Sequence, residues 1–466
     1  MMITTNKNSL LILFLTEMYE RYGFYVTQAL LIFYLVQKLH LPDAQSYSIV
    51  GAYTAFAYIN GIFGGIISDK LIGYDLTVIL GAILLTVGYY ICFANLSDFK
   101  IFMCGLAFVA SGTGNLKPNI SSIISVIYQE KKMKETAYNI FYVGLYIGAL
   151  SGSLLGGYLQ EHFGWNIAFI SPVIAMSLGL LCFCIGKIFF QIKDNREFNI
   201  DIFVILKLII IELAVIIISF YNLINPELSN YIFMITVVAA ICYMIFLIVT
   251  SPVTQQKSLL LFFYLIVFSC IYWAIYFQQF FSISIASTRI FQGPMPNTIL
   301  TCFVSLGIII FGPILTYLWR KLGNKNPNII TKFSISFIAN TVVFTILATA
   351  VAFSNTIVLL QHQAIIIVAY LLIAIGELCI SPVGLFMVSE LVPANKVGIM
   401  MGFYMLSIGI GGKIAGFLAQ IANVNDISNI TLMKHTYYIA FLSYAAISMI
   451  MFILITILRK ITTQHN

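Results

Sequence analysis

Glu17, Glu20 and Arg21 sit within five residues of one another, inside an apolar run from about Leu10 to Gln37. On a helix, Glu17, Glu20, Arg21, Phe24 and Gln28 fall at i, i+3, i+4, i+7 and i+11 and share one face. An ionised side chain at bilayer depth is costly against lipid, so that face must look into protein or a water-filled cavity. Two carboxylates beside a guanidinium can hold a proton, bind an anion, or lock helices together as an ion-pair network. A second cation, Lys117, lies in the run Gly112-Thr113-Gly114-Asn115-Leu116-Lys117-Pro118-Asn119-Ile120-Ser121, beside a helix-kinking proline. It needs an acidic partner, and Glu17 or Glu20 is the obvious one. Far along the chain, Glu377 in Gly376-Glu377-Leu378-Cys379-Ile380-Ser381-Pro382 is the only carboxylate inside the apolar spans of the second half. A small zwitterion has matching ends: an ammonium for Glu377 and a carboxylate for Arg21 and Lys117. Pro382 and Ser381 loosen the helix near Glu377, which suits a moving gate.

These groups must be carried by membrane helices. The chain of 466 residues is 61% hydrophobic and 9% charged. Apolar runs of about 20 residues recur end to end, the pattern of a polytopic all-α membrane protein rather than of a barrel's short alternating strands. We read fourteen transmembrane helices, at about 10–37, 45–68, 77–96, 101–127, 137–160, 166–190, 202–222, 230–250, 258–285, 297–319, 330–353, 362–389, 397–421 and 436–458. The charged stretch 191–201 interrupts the pattern after six spans, and Thr254–Lys257 after eight. The organisation expected is an N-terminal six-helix bundle over 1–190, a cytoplasmic linker with a peripheral two-helix hairpin over 191–257, and a C-terminal six-helix bundle over 258–466. Two six-helix halves with a site at the midplane between them is the usual transporter plan. The hairpin carries few polar groups. Glu212 is its exception and is read as structural.

With the N-terminus inside, sixteen Lys and Arg fall on the cytoplasmic side, among them Lys193, Arg196 and Lys396. Only Lys38, Lys100, Arg289 and Lys434 fall outside, and Arg21, Lys117, Lys207 and Lys413 lie within spans. That bias places both termini in the cytoplasm. The first run is longer than a signal-peptide core, so no cleaved leader is expected. The eight cysteines all lie in apolar runs without a C-x-x-C pair, and the five histidines are scattered. Neither set reads as a metal site or a disulfide framework. No nucleophile–base pair appears, so an enzyme is not expected, nor is a cofactor. The net charge of +7 follows a membrane pattern and does not suggest nucleic acid.

The motifs resemble those of the proton-dependent oligopeptide transporter family, a branch of the major facilitator superfamily. Glu17-x-x-Glu20-Arg21 is similar to its E-x-x-E-R motif, the run from Gly112 to Ser121 to G-T-G-x-x-K-P-N-I-S, and the run from Gly376 to Pro382 to G-E-L-x-x-S-P. Gly64-Gly65-Ile66-Ile67-Ser68-Asp69-Lys70 resembles the superfamily's cytoplasmic loop. The resemblance runs from Glu17 to about Gly416 and implies the major facilitator fold. It implies that Glu17, Glu20, Arg21 and Lys117 serve proton coupling, with Arg21 and Lys117 also receiving the substrate carboxylate. Tyr25, Tyr58, Tyr142, Tyr272, Trp273, Phe403 and Tyr404 match residues that line side-chain pockets, and Ser381 lies beside Glu377. Gly64, Gly65, Asp69, Pro118 and Pro382 are read as gating or structural positions.

Departures from the family pattern bear on specificity. Gln28 stands where a second arginine is common, Phe277 where the seventh bundle helix often has an acid, and Tyr146 where the fifth span has an asparagine. Thr301, Val304 and Ser305 stand where the family has Q, N and P. The paired loss at Gln28 and Phe277 replaces an ionic outer latch with amide and aromatic packing. The function expected is a proton-coupled symporter that imports di- or tripeptides or peptide-like molecules by alternating access. Its partners would be short peptides, protons and the bilayer of the cell's inner membrane, with a monomer as the working form. The alternatives are a carrier or exporter for another small zwitterion or anion in the same fold, and a membrane receptor that transports nothing.

Overall fold

The computed structural model describes residues 2–128, 130–190, 192, 198–354, 359–393, 397–424 and 426–464. Lys193, Arg196 and Lys396, assigned above to the cytoplasmic side, lie outside them, as do the side chains of Lys7, Lys131 and Lys132. No strand occurs among the described residues. The helices are α1 (Met2–Phe33), α2 (Asp43–Ile59), α3 (Gly61–Ile67), α4 (Gly73–Ala94), α5 (Phe99–Ile127), α6 (Lys131–Phe189), α7 (Ile202–Ile224) and α8 (Pro226–Thr250). They continue with α9 (Val253–Tyr276), α10 (Ser282–Arg289), α11 (Cys302–Leu322), α12 (Ile329–Ala352), α13 (Leu359–Leu391), α14 (Val397–Ala419) and α15 (Ile430–Gln464). Among the described residues, eleven helical stretches are long and apolar enough to cross a membrane.

Local chemistry sets the ends. Asp98, Asp201 and Asn328 each accept a hydrogen bond from the backbone N–H three residues on, capping α5, α7 and α12. Pro226 opens α8, where its missing N–H costs nothing, while the Asn225 side chain accepts from Leu228 N at 3.1 Å. Gly164 breaks α6 internally with φ 81°, a conformation that a side chain disfavours. The sequence boundaries differ at two spans. The second span is not continuous, because α2 gives way to α3 at Asn60, and the span read from 297 becomes regular α-helix only at Cys302.

The described chain forms two compact units. One comprises Met1–Tyr34 and Ala52–Ser229, the other Leu35–Gly51 and Asn230–Asn466, so α2 contributes its first turns to the second unit and its remainder to the first. In the first unit, α6 presents Gly144, Gly148, Gly152 and Gly156 to α1. A Cβ on Gly148 would stand 2.4 Å from the Met18 carbonyl oxygen and 2.8 Å from the Arg21 Cβ. Lipid is as apolar as leucine, so small residues that let backbones touch are what hold such helices together. The same device joins α4 to α5, where Gly81 meets the backbone of Gly112 and Leu116, and Gly88 that of Gly105 and Val109. In the second unit, a Cβ on Gly411 of α14 would stand 2.5 Å from the Trp273 Cβ, and one on Gly51 of α2 would stand 3.2 Å from the Gly416 Cα. Phe344 of α12 packs edge-on to Tyr444 of α15, ring centroids 5.3 Å apart.

Candidate functional site

In the first unit, the glycine stripe of α6 presses on α1 at Met18 and Arg21, which fixes the charged face. Glu17, Glu20 and Arg21 are all buried. Arg21 donates Nη2–H to Glu20 Oε1 at 2.5 Å and Nε–H to Glu20 Oε2, a two-pronged, charge-assisted contact. Glu17 Oε1 lies 3.3 Å from Arg21 Nε, and Glu17 Oε2 is buried without a hydrogen-bond partner. The guanidinium also rests over the Phe24 ring at 4.9 Å, and Phe24 meets Tyr25 edge-on at 5.5 Å. Further along that face, Gln28 donates to Thr54 Oγ1 at 3.1 Å.

Lys117 comes from α5, held by its glycines against α4. Its ammonium lies 4.1 Å from the centroid of Tyr58, a cation–π contact with one of the expected pocket aromatics. Pro118 interrupts the helix ladder, and Ser121 and Ser122 both donate to the Pro118 carbonyl, at 2.9 and 3.0 Å. Asn119 Nδ2 bridges to the carbonyls of Asn115 (2.7 Å) and Gly64 (3.1 Å). Gly64 is pressed against Gly114 and Asn115, whereas a Cβ on Gly65 would meet open space. Asp69 accepts from Tyr74 at 3.1 Å, and Asp75 pairs with Lys187 of α6 at 2.7 Å. Tyr142 is 38% exposed and Tyr146, one turn on, half-buried, both on the α6 stretch that carries Gly144 and Gly148.

In the second unit, Glu377 of α13 is buried and its Oε2 accepts from the Tyr276 hydroxyl at 2.6 Å. Tyr276 is surrounded by aromatics of its own stretch: Trp273 edge-on at 4.9 Å, Tyr272 stacked at 6.2 Å and Phe277 at 5.5 Å. Phe277 is itself buried and starts the short 3₁₀ turn Phe277–Phe280 between α9 and α10. Tyr404 of α14 donates to the Ser381 carbonyl at 3.2 Å, just before Pro382 inside α13. Its ring fills the space that a Cβ on Gly384 would need. Phe403 points elsewhere, stacking on Tyr243 of α8 at 5.3 Å. Thr301, Val304 and Ser305 are buried at the start of α11.

Two features escaped the sequence reading. Tyr276 stands three residues after Trp273, so its shared helical face was the available signal. The second is a buried ion pair in the second unit, Asp43 of α2 with Arg289 of α10. Both terminal guanidinium nitrogens engage the carboxylate, Nη1–Oδ2 at 2.5 Å and Nη2–Oδ1 at 2.8 Å, and Nη1 also donates to the Tyr437 hydroxyl at 3.0 Å. The partners are 246 residues apart, and no spacing rule connects them.

The sequence model of the POT family matches residues 75–438. A dipeptide and tripeptide permease A of Serratia proteamaculans is 26% identical over 465 residues, covering 97% of this chain and 91% of its own. A solved bacterial homologue of the human drug peptide transporters superposes with a TM-score of 0.85 at 20% identity, over 99% of this chain and 100% of its own. A peptide transporter POT solved with alafosfalin gives a TM-score of 0.80 at 23% identity, over 96% and 94% of the two chains.

Proposed function

The chain belongs to the POT family, the proton-dependent oligopeptide transporters, and from that premise we propose that it imports di- and tripeptides or peptide-like molecules together with protons, by alternating access. The observation that carries this reading is the buried Glu17–Glu20–Arg21 cluster. Glu20 occupies both prongs of Arg21 in the described state. A proton arriving at Glu20 weakens that contact and frees the guanidinium for a substrate carboxylate. Glu17, with one oxygen buried and unpartnered, is a second place for the proton. Interacting groups titrate as a set, so the cluster with Lys117 holds the proton jointly. Lys117 and Arg21 then take the carboxylate end of the peptide and Glu377 its ammonium. Tyr25, Gln28, Tyr58, Tyr142, Tyr146, Trp273, Phe277, Ser381 and Tyr404 supply side-chain contacts, Phe403 being turned to Tyr243 instead, and Gly64, Gly65, Asp69, Pro118 and Pro382 serve the moving parts. Binding of alafosfalin by the related transporter supports a peptide-like ligand.

The same reading completes the architecture. Splitting the stretches Asp43–Ala94 and Ile140–Phe189 into two spans each, and adding α1, makes fourteen transmembrane helices in a six, two, six plan over 1–190, 191–257 and 258–466. Both termini are placed in the cytoplasm and a single chain is the transporting form. The test is uptake of labelled dipeptide into proteoliposomes under an imposed proton gradient. Wild type accumulates peptide, and Glu20→Gln and Lys117→Ala do not. Accumulation by both variants at the wild-type level would refute the coupling assignment, and binding without flux in wild type would refute transport itself.

A further inference from the structure

Among the described residues, polar contacts attach α7 to its neighbours in the first unit at two places, the junction of α2 with α3 and the turn before the proline inside α5. Glu212 is 7% exposed and accepts from Ser111 Oγ at 2.8 Å and from Asn115 Nδ2 at 2.7 Å. Two turns on, Ser219 accepts from Asn60 Nδ2 at 3.2 Å. Glu212, Ser219 and Asn222 lie at i, i+7 and i+10, so they form a buried polar stripe among Val215, Ile216 and Leu223. Asn60 is where α2 gives way to α3. Asn115 stands three residues before Pro118, whose missing N–H leaves the Gly114 carbonyl without its ladder partner. The two places touch: a Cβ on Gly114 would stand 2.5 Å from the Asn60 backbone carbon, and one on Gly64 would run into the Gly114 oxygen.

Lys117 follows Asn115 by two residues, which turns it about 200° around the helix. Glu212 therefore holds the back of α5 where Lys117, over Tyr58, occupies the front. We propose that Glu212 is a positioning residue for Lys117. Through α7, it braces the stretch of α5 that would otherwise yield at Pro118, and it does so by accepting hydrogen bonds rather than by its charge. The hairpin helix is thus a working part of the coupling machinery. The functional consequence rests on the role given to Lys117 above; the brace itself does not.

The experiment combines amide hydrogen exchange with peptide uptake on the full-length protein in nanodiscs and proteoliposomes. Glu212→Ala strands two buried donors, and exchange over residues 111–121 should rise about tenfold, with a similar rise in the half-saturating dipeptide concentration. Glu212→Gln should restore both readouts, because its carbonyl accepts from Asn115 and its amide donates to Ser111. Ser111→Ala removes one donor without stranding the other and should give a smaller rise in the same segment, so the inference stays testable if Glu212→Ala does not fold. Wild-type exchange over 111–121 in Glu212→Ala, or equal impairment in Glu212→Gln, would overturn the proposal. Raised exchange with unchanged uptake would leave the brace standing and remove Lys117 from the transport reading.

Discussion

Consider the Asp43–Arg289 pair. Its side chains are 4% and 9% exposed, and three hydrogen bonds converge on the guanidinium. Charge centres about 4 Å apart attract by about 4 kcal/mol at an effective dielectric of about 20. Removing one partner of a buried pair costs about 3–5 kcal/mol, because the other charge is stranded. Arg289→Ala leaves Asp43 buried beside Tyr437 and Tyr47 without its cation, so the start of α2 should detach from α10 and α15. If the fold survives, the balance between attached and detached states shifts by a factor on the order of 10²–10³. The assay is a pair of spin labels at exposed positions on the first turns of α2 and α15, read as a distance distribution, alongside thermal unfolding in detergent. Arg289→Ala should broaden the distribution toward longer distances and lower the unfolding temperature. Exchanging the two residues, Asp43→Arg with Arg289→Asp, should recover part of both. A wild-type distance and unfolding temperature in Arg289→Ala would show that the pair does not hold α2, and the desolvation reasoning would fall with it.

Two further outcomes follow from the packing and from the Tyr276 hydroxyl. Gly148→Ala forces a methyl to within 2.4 Å of the Met18 carbonyl, so it should destabilise the first unit by about 1–3 kcal/mol. Thermal unfolding checks this, and an unchanged midpoint would mean that α1 and α6 adjust freely. Tyr276→Phe removes a donor from Glu377 and leaves the carboxylate more dependent on an incoming ammonium, so free dipeptide should outcompete its N-acetyl form by a wider margin than in wild type. Competition against labelled dipeptide measures the ratio, and a narrower margin would mean that Tyr276 supports Glu377 rather than contesting it.

The charged face of α1 was legible because helical periodicity alone puts Glu17, Glu20 and Arg21 together, and no lipid-facing placement tolerates them. The family resemblance is borne out, since its motifs are local runs that a sequence displays directly. Contacts between distant runs were not legible. Lys117 invited an acidic partner, but nothing in its local run announced the Tyr58 ring under its ammonium. Arg289, counted above only as an outside cation, pairs with Asp43, a partner that no local pattern announces. α7 looked apolar because hydropathy averages over a helix, while Glu212, Ser219 and Asn222 are concentrated on one side of it.

The contact between α1 and α6 has a further property. Gly144, Gly148, Gly152 and Gly156 recur every four residues, and they meet Phe14, Met18, Tyr22 and Val26, which recur at the same interval. Such an interface is nearly periodic: slipping one helix by four residues, about 6 Å, brings a groove back opposite a ridge. The repeat sets the separation of the helices but scarcely their axial offset. That offset is set by stops at the two ends. Ser9 Oγ donates to the Phe190 carbonyl at 3.0 Å. At the other end, Tyr34 of the turn after α1 meets Trp165 and Phe169 of α6 edge-on, ring centroids 5.5 and 5.2 Å apart. During insertion into the bilayer, the pair therefore has a ladder of shifted dockings open to it, and the Ser9 hydroxyl and the Tyr34 ring, both meeting the later stretch of α6 far from the charges, select the one rung on which Arg21 meets Gly148.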